Sequence, residues 1–98
     1  MANERTEMHE FNDVWDALED TPQAAANMRL RSEVLIAVEQ EVRSWSITQA
    51  KAADRLGVTQ PRLNDLLRGK IGKFSLDALV ELSARAGLEV HLDVAKAA

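Results

Sequence analysis

The stretch that most constrains the fold is Thr48–Arg68, TQAKAADRLGVTQPRLNDLLR, which reads as two short helices joined by a tight turn. Thr48 suits an N-cap, because its hydroxyl can accept a bond from an amide that the first helical turn leaves unpaired. From Gln49 to Leu56 the three-residue spacing of Ala50, Ala53 and Leu56 predicts one apolar face. Gly57 stands where a helix ends in a residue that tolerates positive φ. Thr59 caps again, and Pro61 falls in the first turn, where its missing N–H breaks no helical bond. Leu63, Leu66 and Leu67 supply the inward face of the second helix, and Val58 and Leu63 are spaced as a hydrophobic staple. Helices this short must pack closely on each other, and Ala53 is small enough to permit the crossing. The pattern is that of a helix-turn-helix.

With the leucines inward, Gln60, Arg62, Asn64, Asp65 and Arg68 are left on the outer face of the second helix. Gln and Asn pair with adenine edges and Arg with guanine edges, so this face has the chemistry to read a major groove. Gln49 and Lys51 begin the first helix, where side chains and amides commonly meet phosphate. A solvated face on an ordinary helical hairpin would look the same locally. Charge separates the two.

Net charge is −4, which taken alone argues against a polyanionic partner. The distribution reverses that argument. Residues 1–28 carry −6, residues 29–47 are balanced, and residues 74–98 carry −2. Between Thr48 and Lys73, however, six bases (Lys51, Arg55, Arg62, Arg68, Lys70, Lys73) face two acids (Asp54, Asp65), a local excess of +4. The local positive excess therefore lies on the helix-turn-helix and the loop after it, an electrostatic footprint for nucleic acid. Affinity grows with the number of phosphates met, so +4 per chain is weak and a dimer that doubles it is expected.

The 98 residues suffice for one domain, and 46% apolar content supports a modest core. Cysteine is absent, which removes disulfides and thiolate zinc sites, and His9 and His91 lack the spacing of a metal pair. No cofactor is expected. No apolar run approaches membrane-spanning length and no signal-peptide pattern opens the chain, so a cytoplasmic protein is the default expectation.

Residues 1–20 form an acidic arm in which Phe11, Val14, Trp15 and Leu18 are the large apolar groups. Their spacing permits one or two helical turns capped by Asn12, or a short strand over Phe11–Trp15. These four groups must dock, either on the chain's own core or on a partner. Residues 21–98 form the folded domain. Thr21-Pro22 reads as N-cap and first helical residue of a long helix to about Arg43, with Met28, Val34, Leu35, Val38 and Val42 as its apolar stripe. Glu39 and Arg43 are placed to pair on its wet side. Trp45 and Ile47 are expected to plug the core. Past Arg68, the loop Gly69-Lys70-Ile71-Gly72-Lys73 offers Lys70 and Lys73 to phosphates. It lacks the spacing of a nucleotide-binding P-loop. Ser75 caps a further helix, Asp77 complements its dipole, and Leu76, Leu79, Val80 and Leu82 are expected inward until Gly87. Finally, Leu88–Val94 alternates apolar and polar residues at period two, which predicts a strand. Its partner is open: the Phe11–Trp15 arm, the same strand of a second subunit, or another protein.

These residues together resemble the Xre/Cro-type helix-turn-helix regulators, and within them the HigA-like antitoxin branch. The match is carried by Ile47-Thr48-Gln49-Ala50, Ala53 through Pro61, Leu66, Arg68-Gly69-Lys70 and Phe74 through Leu79, with Asp20-Thr21-Pro22 and Leu30 through Glu33 ahead of them. It covers roughly residues 11–94. The resemblance implies a mainly α, lambda-repressor-like bundle of four to five helices with a short C-terminal β-strand. It further implies a dimeric repressor of its own operon, binding double-stranded DNA at a palindromic operator and neutralising a small basic ribonuclease toxin of the HigB/RelE type. By position, Gln60, Arg62, Asn64 and Asp65 would face base edges, and Thr48, Gln49, Thr59, Arg68 and Lys70 phosphates. Two departures stand out. Asp65 would be repelled by phosphate unless it accepts from cytosine or pairs with Arg62 or Arg68, and Ser46 replaces the glycine often found just before the motif.

Two other readings compete. A regulator of phage origin without a toxin shares the same pattern, and a protein-interaction module would keep the shape without binding DNA. An enzyme is not expected, because no nucleophile–base pair and no metal constellation is visible.

Overall fold

Thr21 opens the first helix as the sequence predicts, its Oγ1 accepting from the Ala24 amide at 3.0 Å. The computed structural model describes residues 21–97. They form α1 (Pro22–Ser44), α2 (Gln49–Leu56), α3 (Gln60–Leu67), a short 3-10 turn (Ile71–Lys73) and α4 (Leu76–Arg85). The arm that holds Phe11, Val14, Trp15 and Leu18 lies outside the described residues.

The other three helices are likewise capped by hydroxyls, at Thr48, Thr59 and Ser75, and each accepts an amide of the following first turn. Each satisfies a donor that the helix itself leaves orphaned. The far ends of α2, α3 and α4 share one turn, in which two amides just past the helix fold back onto its last carbonyls. At Gly57 that turn requires φ +73°, and the space for a Cβ is already taken by the Arg85 guanidinium at 2.9 Å. Arg85 Nη1 donates to the Leu56 carbonyl at 3.1 Å, so α4 closes the end of α2.

Around these ends sits a core of Leu35, Val38, Val42, Ala52, Ala53, Leu56, Leu63, Leu66, Phe74, Leu79, Leu82 and Ala86. The α1 helix packs mainly along α4, while α2 packs on α3 as the paired unit. Several inward residues differ from those expected. Ala52 replaces Ala50, which is exposed, because residues 52 and 53 flank the direction set by Leu56 at 100° per residue. On α4 the buried set is Leu79, Leu82 and Ser83, with Leu76 half-buried and Val80 exposed. Trp45 is half-buried against the core with its Nε1 donating to Glu41 at 3.0 Å, whereas Ile47 stays outside the core at 41% exposure. Ser46 takes φ 55°, so the missing glycine of this turn is replaced by a side chain held in the left-handed region.

The predicted C-terminal strand does not form. Residues 88–97 carry neither helix nor strand, and no strand occurs among the described residues. Leu88 closes the end of α4 through its amide to the Ser83 carbonyl at 2.8 Å and packs on the core. Beyond it Val90, Leu92 and Val94 are 44, 67 and 81% exposed. Alternation specifies which face a strand buries, but a ladder needs an edge to pair with. The described part of this single chain offers none.

Candidate nucleic-acid interface

Thr48 and Thr59 start the two helices of the motif, and as caps their oxygens accept from Lys51 N at 3.2 Å and Arg62 N at 3.3 Å. Each hydroxyl proton therefore stays available for an outside acceptor such as a phosphate oxygen. Lys51 and Gln60, both exposed, line one open groove with Ala50, Ala53, Asp54 and Val58. Gln49 lies elsewhere, in a shallow pocket with Arg43, Ile47 and Leu67. The sequence-predicted phosphate contacts of α2 thus sit on two edges of the motif.

On α3 the outer surface carries Gln60, Pro61 and, just past its end, Arg68, all exposed, with Asn64 and Asp65 half-buried. Eight residues make a rod ~12 Å long, a size that a major groove admits. Arg62 is placed differently from the other polar residues. It stands one turn before the buried Leu66 and shares that inner edge. Its guanidinium stacks on the Phe74 ring at 4.2 Å, and Nη1 donates to the Lys73 carbonyl at 2.9 Å. In this geometry Arg62 braces the loop instead of projecting from the helix.

Asp65 meets neither Arg62 nor Arg68. Its two carboxylate oxygens lie 3.6 Å from Lys70 Nζ and 3.7 Å from Lys73 Nζ, so the loop lysines converge on one acid. Arg55 turns the other way, stacking on Trp45 at 3.8 Å. His91 is exposed with its Nε2 3.2 Å from a Glu89 carboxylate oxygen, far in sequence from this surface.

Arg31 and Arg43 make contacts between elements that helix faces alone do not give. Arg31 is 4% exposed, with Nε donating to Asn27 at 2.7 Å and Nη1 to the Phe74 carbonyl at 3.3 Å. It fastens the end of the lysine loop to α1. Its signal was a charge at a core position, since 31, 35, 38 and 42 form one helical stripe. Arg43 pairs with Glu39 at 3.1 Å as predicted, and Nη2 also donates to the Leu67 carbonyl at 2.9 Å, capping α3 from outside.

Two short helices at a tight turn, the second with a polar outer face, define a helix-turn-helix protein. The helix-turn-helix domain family matches residues 17–95, and the chain belongs to that family. It is a helix-turn-helix of the Xre/Cro kind, the domain of DNA-binding regulators. No curated protein matches the chain.

Proposed function

We propose that the chain is a sequence-specific transcriptional repressor, a binding module without catalysis that acts in the cytoplasm as a homodimer on a palindromic operator. The observation that carries the reading is the outer surface of α3, where Gln60 and Arg68 are exposed beside Asn64 and Asp65. This surface lies within the +4 stretch of an otherwise acidic chain. Polar groups of this kind read base edges, and the surrounding cations supply attraction to the backbone. Dimerisation is supported by the alternating tail, whose Val90, Leu92 and Val94 are open to solvent.

Titration of the protein with the promoter upstream of its own gene tests this. Gln60→Ala is expected to weaken binding to that sequence by about 1–3 kcal/mol and to leave mixed-sequence DNA unaffected. Arg68→Ala should weaken both and lower the salt slope by about 1. Binding that ignores salt and both substitutions would leave only the protein-interaction reading.

The antitoxin half of the proposal rests on residues 1–20, where acids surround Phe11, Val14, Trp15 and Leu18. Negative charge steers a basic ribonuclease toxin of the HigB/RelE type, and the apolar groups anchor it. Removing residues 1–20 is expected to abolish capture of a basic protein encoded next door while promoter binding persists. Retained neutralisation by the truncated chain would refute that role.

A further inference from the structure

The convergence of Lys70 and Lys73 on Asp65 has a consequence for how strongly a duplex is held. We propose that Asp65 is an internal competitor for phosphate, which weakens non-specific DNA binding and so raises the share of affinity that depends on base contacts. This rests on the DNA-binding reading above.

The backbone sets the arrangement. The amides of Gly69 and Lys70 return to the carbonyls of Leu66 and Asp65, both at 3.0 Å. The chain therefore doubles back, and the Lys70 side chain comes over the carboxylate of the same residue that holds its amide. Lys73 is held in place by its carbonyl, which accepts from Arg62 Nη1 at 2.9 Å. Asp65 is the more enclosed partner, its side chain 22% exposed against 41% for Lys70 and 53% for Lys73. At 3.6 and 3.7 Å the ammonium groups stand outside direct hydrogen-bond range, so the attraction is Coulombic and exchangeable. A phosphate oxygen that reaches either lysine displaces it from the acid without breaking a tight bond.

Asp65 also lies on the flank of the outer surface of α3, so docking that surface brings a carboxylate towards a polyanion. Two lysines and one acid count as a single net charge in the electrostatic attraction. Sequence-independent binding loses accordingly, while contacts from Gln60 to a base edge are untouched. Specificity is a difference of affinities, and a repulsive element widens it.

Asp65→Asn tests this in the full chain, with a mixed-sequence duplex and the promoter duplex as probes. Glu81→Gln, exposed on α4, makes the same change in net charge away from the surface. Asp65→Asn is expected to tighten mixed-sequence binding ~3–10-fold near ~0.1 M salt, as two exposed ion pairs allow. The plot of log K against log salt should steepen by about 1, and the ratio of promoter to mixed-sequence affinity should fall. Glu81→Gln should leave the slope unchanged. An unchanged slope for Asp65→Asn, or weaker binding to every duplex, overturns the proposal and makes Asp65 a support for the lysines. Loss confined to a promoter containing one particular cytosine overturns it in favour of base reading. A wild-type chain that binds neither duplex defeats the DNA-binding reading itself, a result distinct from the other two.

Discussion

Phe74→Ala is expected to cost about 3–5 kcal/mol, the usual range for emptying a buried aromatic site. Phe74 is 1% exposed and sits in the core with Leu79, Leu63 and Leu66. Domains of this size commonly have only ~5–15 kcal/mol of stability in all, so the variant should be near the edge of folding. The ring also carries the Arg62 guanidinium at 4.2 Å, so packing and stacking are lost together. Phe74→Leu separates them. It keeps most of the apolar volume and is expected to cost about 1–1.5 kcal/mol, with the stacking share being ~0.5–1 kcal/mol. Urea denaturation of the three proteins measures both steps. Equal midpoints for wild type and Phe74→Ala would mean that the loop is not held by the core.

Arg31→Met is expected to cost about 2–3 kcal/mol, because a buried charged donor is removed and its carbonyl acceptors are left behind. The methionine stem fills much of the same space, so the loss reports hydrogen bonding more than volume. Asn27 and the Phe74 carbonyl both lose a partner. Arg31→Lys should recover less than half of the stability, since an ammonium cannot present the planar fork of the guanidinium. Hydrogen exchange should show faster opening of residues 70–74 in Arg31→Met, with α2 and α3 less affected. Exchange unchanged in that loop would show that α1 does not hold it.

Local signals in the chain were readable wherever one or two residues decide the backbone. Thr21, Thr48, Thr59 and Ser75 cap the helices the sequence assigns to them, and Gly57, Gly69 and Gly87 follow helix ends with positive φ. Alanine gives little directional information, so Ala50 and Ala52 could be exchanged without altering the apparent pattern. The charge of Arg31 suggests solvent, although its place in the stripe with Leu35, Val38 and Val42 points inward. Taking Leu63, Leu66 and Leu67 as the inward face leaves Arg62 outside, yet it borders the buried edge beside Leu66 and finds the Phe74 ring within reach. The partners of Asp65 depend on the return of the chain after Gly69, a tertiary effect that helix periodicity does not encode. Likewise, Leu88–Val94 has the composition of a strand, but strand formation depends on an edge outside its own sequence. The family match supports the helix-turn-helix architecture as a whole.

Amide chemical-shift mapping with the promoter duplex tests the central claim most directly. The expected result is a continuous set of salt-sensitive shifts at Thr48–Lys51, Thr59–Asp65 and Arg68–Lys73, with the outer residues of α4 little changed. Shifts confined to α4 and residues 88–97, or no shifts at low salt, would contradict it.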